Sequence, residues 1–361
     1  MNNSFLILTG GTGGHVIPAV NFGNYLIKNK FNCNMITDQR GSKYTGRFNG
    51  EVFKIKSSHL SGNIFFKFKA ILKLLFGFFQ SLNLIFKLKP KIIVSFGSYA
   101  SLPGCFALLI LSKFFKIKFY IHEQNSIIGK SNRIFIAYTN KFFVNFDKKY
   151  KINNKYQKKI IIVGLPNNTS QIERKNQNIK DKKAFLKVFV YGGSQGSLPL
   201  LKLFELILDK ITLNDLSKIH FIIQCPKFYQ KEIIKKLKNL NCSYLIEDFY
   251  FNIDQLLEQT DLTISRAGAG TIDDIIKYKI PSILVPLSIA KDNHQYENAL
   301  ILKKNNSGII INEMNKDVTE AINFIKKILI DKSHQKKIID SFDNIIIRDA
   351  NKLMLKELLN D

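Results

Sequence analysis

Tryptophan is absent from this 361-residue chain, and its four cysteines (Cys33, Cys105, Cys225, Cys242) stand far apart with no CxxC pair. That scatter indicates neither a zinc site nor a disulfide framework and fits a reducing cytosol. Acidic residues are scarce, with 28 Asp and Glu against 54 Lys and Arg, leaving a net charge of +26. A surplus of this size points to an anionic partner: nucleic acid, an acidic membrane or a phosphorylated substrate. Heavy use of Lys, Ile, Asn and Phe along the whole chain looks like an AT-rich coding bias and supplies part of that charge. Long apolar runs are missing too. Segments 71–86 and 105–121 are broken by Lys73, Gln80 and Asn83, and by Lys113, Lys116 and Lys118. Neither reaches the roughly 20 uninterrupted residues of a spanning helix, so a protein not integral to a membrane is expected. Met1 to Ser4 lead straight into an apolar run, which reads as a strand rather than a signal peptide.

What remains is a globular composition, 45% hydrophobic, long enough for two domains. Phe5 to Leu8 is a short, wholly apolar run, as expected of a central parallel strand, and it ends in Thr9-Gly10-Gly11-Thr12-Gly13-Gly14-His15. A helix follows through Ile27. This strand–glycine loop–helix unit is half of a Rossmann-like domain. Asp38 ends the next strand, as in nicotinamide-binding folds, but Val16 stands where the third glycine of GxGxxG belongs. Phe185–Tyr191 repeats the pattern, ending in Gly192-Gly193-Ser194-Gln195-Gly196. A third glycine turn follows the strand Leu262–Ile264, with Ala267-Gly268-Ala269-Gly270 opening a helix from about Thr271 to Tyr278. Such turns face backbone N–H groups and a positive helix end outward, which suits a phosphate. Asp274, one turn in, is within reach of a ribose diol. After the next strand come Ser288, Lys291, Asp292, Asn293, His294 and Gln295, where open α/β sheets bind ligands.

Between these units, segment 59–90 crowds phenylalanines and leucines among Lys67, Lys69, Lys73, Lys87 and Lys89. It reads either as a core helix in a Phe-rich chain or as a basic amphipathic helix lying on anionic lipid. The strand Lys118–Ile121 is expected to end in four hydrogen-bonding side chains, His122-Glu123-Gln124-Asn125. Gly164-Leu165-Pro166 and the polar run 167–183 form the natural connection between domains, and helices near Asp317–Leu329 and His334–Leu359 close the chain.

GGTGGH (10–15), HEQN (122–125), GGSQG (192–196), SRAGAGT (265–271) and DNHQYENA (292–299) occur in the order and spacing of the MurG family. The resemblance spans nearly the whole chain. It implies an α/β GT-B fold, two Rossmann-like domains facing each other across a cleft, with boundaries near 1–163 and 164–344. A C-terminal helix, about 345–361, could pack back on the first domain. It further implies an inverting hexosyltransferase that moves N-acetylglucosamine from UDP-GlcNAc to the 4-hydroxyl of undecaprenyl-pyrophosphoryl-MurNAc-pentapeptide, with no metal or other cofactor. The donor would meet Asp274 at the ribose, the Tyr250 backbone at uracil, Ser194, Ala269, Gly270 and Thr271 at the diphosphate, and His294 and Gln295 at the sugar. Thr12, Gly13, Gly14 and Asn125 would close on the sugar and acceptor, and Gly14, His15, Tyr99, His122, Glu123 and Asn125 would line the acceptor site. Partners would be an anionic membrane surface, at the cytoplasmic face of the inner membrane, and other cell-wall synthesis proteins. Nucleic acid is not expected, because the basic residues are dispersed and no aromatic stacking platform emerges.

His15 is the candidate general base, since imidazole titrates near neutral pH; the alternatives are a helix-capping His15 with His122 or Glu123 taking the proton. The chain also departs from the family pattern. Leu165 and Asn168 replace the usual linker Asn and Arg, Asp274 stands for a longer Glu, and Gly97-Ser98-Tyr99-Ala100-Ser101 has lost two glycines.

Overall fold

A strand in which every residue is apolar can be buried only when both of its faces are covered, and the fold uses such runs in that way. The computed structural model describes residues 4–59, 63–167, 185–193, 196–250, 252–288, 293–314 and 317–361. It divides into two units, Met1–Ser170 with Arg348–Asp361, and Gln171–Ile347.

In the first unit seven parallel strands, β1 (Ser4–Leu8), β2 (Asn32–Asp38), β3 (Val52–Ile55), β4 (Ile92–Ser95), β5 (Lys118–Glu123), β6 (Lys141–Val144) and β7 (Ile160–Ile162), lie in the order β3-β2-β1-β4-β5-β6-β7. Alternate residues serve opposite faces. Phe5, Ile7 and Val94 pack under helix α1 (Gly13–Lys28), while Leu6, Leu8 and Ile93 join the core beneath α2 (Ile64–Leu88) and α3 (Leu102–Leu111). The last helix, Ala350–Leu359, covers the α1 face with Met354 and Leu358, each worth about 1.5–3 kcal/mol when fully buried. Its end is tied down by Lys141, which pairs with Glu357 at 3.1 Å and Asp361 at 3.0 Å, and by the Tyr120 hydroxyl, which donates to Asp361 at 2.8 Å.

The second unit has six strands, β8 (Leu186–Tyr191), β9 (Ile219–Gln224), β10 (Ser243–Glu247), β11 (Leu262–Ser265), β12 (Ser282–Leu284) and β13 (Gly308–Ile310). They are ordered β10-β9-β8-β11-β12-β13 and again run parallel. In both sheets the order reverses beside the first strand, between β1 and β4 and between β8 and β11. Those are the points where open α/β sheets take ligands.

Three details differ from the sequence reading. Strand β5 runs two residues further than expected, so His122 and Glu123 lie on the strand itself. The helix expected across His334–Leu359 breaks: Lys332–Ser341 ends in a short 3-10 turn, and a new helix starts where Asp349 accepts the Lys352 N–H at 3.0 Å. Segment 59–90 contains one continuous helix, long and apolar enough by length and composition to cross a membrane despite its lysines. Only a narrow stripe of small residues and one isoleucine, Ala70, Gly77, Ser81 and Ile85, is buried. Gly77 is obligatory there, because a Cβ would stand 1.9 Å from the Lys56 carbonyl oxygen. The rest of α2 presents apolar side chains outward, with Phe65 69% exposed.

Candidate active site

At the first switch point three loops meet on one histidine. Thr12 is the N-cap residue of α1, and His15 lies in its first turn, half-buried. Its Nδ1 is 3.0 Å from the Phe96 carbonyl oxygen, after β4, and 2.7 Å from Gln124 Oε1, after β5. Both partners are acceptors, so Nδ1 carries the proton and Nε2 carries the lone pair. Gly13 is buried and Gly14 exposed. Behind the loop, Asp38 accepts the Gly11 and Gly41 N–H groups at 2.8 and 2.9 Å. Its carboxylate braces the glycine loop, a different task from the ribose contact of a dinucleotide fold. Gly10 needs to be glycine because a Cβ would meet Ala100 Cβ at 2.4 Å and Asp38 Oδ1 at 2.7 Å.

His122 and Glu123, expected at the acceptor site and as alternative bases, are both buried. His122 donates Nε2–H to the Gly164 carbonyl at 2.9 Å, and burial, aided by His15, lowers its pKa to about 4. Glu123 accepts the Gly129 N–H at 2.8 Å, the Asn132 amide at 2.9 Å and the Asn125 N–H at 3.1 Å. It organises the loop that presents Asn125, which remains at the surface of the site. The Tyr99 ring lies tilted against His59, with centroids 4.2 Å apart, and leans on the α2–α3 core. Its neighbour Ser98 has φ +77° and ψ 155°, a region in which only glycine is unstrained.

At the second switch point the organiser is a cation that the sequence reading passed over. Arg266 follows β11, is 4% exposed, and donates Nε–H to Ser197 Oγ at 2.9 Å and Nη1–H to the Val285 carbonyl at 2.9 Å. Nη2 pairs with Glu313 at 2.6 Å. Glu313 also accepts from the Ser288 hydroxyl at 2.6 Å. Burial alone would raise the Glu313 pKa, but Ser288 and the guanidinium outweigh it and hold it below the usual value. Four loops are thereby pinned around the turn that opens helix Ala269–Tyr278. Nearby, the buried Asn298 amide donates to the Ala267 carbonyl at 3.1 Å. An Arg directly after an apolar strand was the available signal. Its Glu partner lies 47 residues on and had none.

Ala269, Gly270 and Thr271 form the first turn of that helix, whose N-cap, Gly268, offers no side-chain cap. A Cβ at Gly270 would meet nothing within 4 Å, so the turn faces open space. Asp274 is partly exposed yet crowded: burial, then Asp273 and Asp254, raise its pKa well above a normal carboxyl, with Lys277 opposing. Tyr250 turns its ring into the core against Phe189 and donates its hydroxyl to the Ile223 and Leu245 carbonyls, leaving its backbone at the end of β10. His294 and Gln295 begin helix His294–Lys304, and Gln295 Oε1 accepts the Leu287 N–H at 3.0 Å. Ser194 and Asn168 lie outside the described residues. Among the described residues no three His, Cys, Asp or Glu side chains cluster as metal ligands.

Two doubly wound parallel sheets, each with a glycine loop after its first strand, define a glycosyltransferase of GT-B fold. Residues 5–144 match the N-terminal domain of glycosyltransferase family 28 and residues 187–352 its C-terminal domain. The chain belongs to glycosyltransferase family 28. It is 36% identical, over 84% of both chains, to the UDP-N-acetylglucosamine–N-acetylmuramyl-(pentapeptide) pyrophosphoryl-undecaprenol N-acetylglucosamine transferase of Rickettsia bellii. The enzyme of the same name from Rickettsia canadensis is 33% identical over 97% of both. Among solved structures, Acinetobacter baumannii MurG superposes with a TM-score of 0.78 at 20% identity, covering 99% of this chain and 100% of that one. The kitacinnamycin glycosyltransferase gives 0.72 at 10% identity, over 100% and 99%, a likeness of fold alone.

Proposed function

We propose that this enzyme moves N-acetylglucosamine from its UDP derivative to the 4-hydroxyl of the N-acetylmuramoyl sugar on a pentapeptide-bearing undecaprenyl pyrophosphate, a step of peptidoglycan synthesis. The observation that carries the reading is the match to relatives named for this transfer along 97% of both chains. His15 Nε2 takes the hydroxyl proton as the oxygen attacks the anomeric carbon. The bond from that carbon to the diphosphate breaks with inversion, and its electron pair leaves on UDP. The first-turn amides of Ala269, Gly270 and Thr271 are the donors assigned to that developing charge. Asp274 holds the ribose, the Tyr250 backbone reads uracil, and Gln295 with His294 meets the sugar. Thr12, Gly13, Gly14 and Asn125 close on the sugar and acceptor, and Tyr99 lies on the acceptor side.

The chain works as a peripheral protein on the cytoplasmic face of the membrane. The outward face of α2, continued by Phe106, Ile110 and Phe114, is the apolar half of the docking surface, and Lys67, Lys69 and Lys73 supply attraction to anionic headgroups. Labelled UDP-GlcNAc incubated with a lipid I analogue tests the transfer; label appearing instead on diacylglycerol would overturn it. Vesicles containing phosphatidylglycerol test the surface. Binding should weaken with salt and be lost when Phe65, Phe66 and Phe68 become Ser, and equal binding to neutral vesicles would count against it.

A further inference from the structure

The hydrogen bonds around His15 continue inward through a side chain that no substrate can reach. Gln124 is 1% exposed. Its Nε2 lies 3.0 Å from the Phe96 carbonyl, 3.0 Å from the His122 carbonyl and 3.2 Å from His122 Nδ1. Two carbonyl oxygens on one side fix which end of the amide is nitrogen, because a flipped amide would set oxygen against oxygen. Oε1 must therefore face His15 Nδ1, at 2.7 Å. At the inner end, His122 donates through Nε2 to Gly164, so its Nδ1 is left to accept from Gln124. Each member has one assignment consistent with all the others, and the chain ends on His15 with the lone pair on Nε2.

We infer that Gln124 is the positioning residue of the transfer: its amide, locked by His122 and Phe96, holds His15 in the tautomer that can accept the acceptor hydroxyl's proton. This rests on His15 being the base. A serine-hydrolase triad places a carboxylate at this position, which both orients the imidazole and stabilises the imidazolium. An uncharged amide does the first without setting a full negative charge beside the ring. The other titratable groups near it do not replace the carboxylate. His122, from β5, is neutral at working pH, Glu123 is engaged by the loop beyond β5, and Asp38, from β2, is engaged by Gly11 and Gly41.

Two variants separate orientation from charge. Gln124→Met keeps the volume and removes the amide. It should lower kcat by roughly tenfold or more with the KM for UDP-GlcNAc unchanged, since a base in mixed tautomers is competent only part of the time. Gln124→Glu places a carboxylate beside Nδ1 and should move the acidic limb of the kcat/KM profile upward by about 1–2 pH units. That shift reads the contact between position 124 and the His15 ring, and the tautomer itself is read separately. The third measurement needs no turnover. The ring-nitrogen NMR signals of His15, assigned by their loss in His15→Ala, should report a single Nδ1–H tautomer in the wild type and a mixture in Gln124→Met. Identical His15 signals in the two proteins, or an unmoved limb in a folded Gln124→Glu, would overturn the inference. Full activity in His15→Ala would overturn the base assignment instead, while the NMR comparison would still decide what Gln124 does to the ring.

Discussion

The two switch points share a topology and are held together by different chemistry. Around His15 the fastening is uncharged, consisting of a backbone carbonyl, an amide and a second, neutral imidazole. Around Arg266 it is a buried ion pair with Glu313, extended by two serines. The difference follows the task proposed for each half. A general base needs its proton affinity near ambient pH, and a fixed charge at contact distance would move it. A diphosphate site needs loops that stay fixed when charge arrives, and a guanidinium with five rigid donors can hold several loops at once.

The largest effect should come from the uncharged side. His15→Ala should cut kcat by roughly 10²–10⁴ and remove the acidic limb of the pH profile, with UDP-GlcNAc binding almost unchanged. A loss of tenfold or less with the limb intact would leave His15 a helix-end residue. On the charged side, Arg266→Ala strands Glu313 in a buried site and should destabilise the second unit by about 3–5 kcal/mol in denaturant titrations. Adding Glu313→Gln should recover part of that loss. If Arg266→Ala alone costs no more than a surface substitution, the ion pair is not what fixes these loops.

Asp274 provides a finer contrast, because its carboxyl is burdened while the donor is absent. A carboxyl with a raised folded pKa costs nothing below the ordinary carboxylate value of about 3.9, and its cost grows as pH climbs toward the folded value. Asp274→Asn should therefore match the wild type in Tm near pH 4 and exceed it near pH 8. The same change should weaken UDP binding by about 1.5–3 kcal/mol through loss of a charge-assisted ribose bond. Higher Tm at every pH, or unchanged UDP affinity, would break the link between crowding and ligand. The smallest effect is expected at Ser98, where Ser98→Gly should stabilise the first unit by about 1 kcal/mol or slightly less, because strain relief is offset by a more flexible unfolded chain. An unchanged or lower midpoint would show that the Ser98 hydroxyl, which accepts the Ala100 N–H at 3.3 Å, outweighs the strain.

Local patterns were legible wherever one short stretch carried the whole signal. Phe5–Leu8 with its glycine loop and Leu262–Ile264 with Ala267–Gly270 announce strand, turn and helix, because continuous apolar runs and glycines constrain the backbone residue by residue. The sequence also determined that His15 directly follows the glycine run after β1 and that α2 carries more apolar surface than one buried stripe can use. Short elements such as β3 and β13 were not legible, since strands of three or four residues are defined by the neighbours they pair with. The tertiary structure alone decided that His122 and Glu123 serve the interior, because burial depends on what packs over a strand end. It alone joined Arg266 to Glu313, residues far apart in the chain, and chose Met354 and Leu358 as the contacts by which the expected C-terminal helix packs back. And it alone fixed the His15 proton on Nδ1, since a tautomer is set by the acceptors that the fold brings within 3.0 Å of the ring.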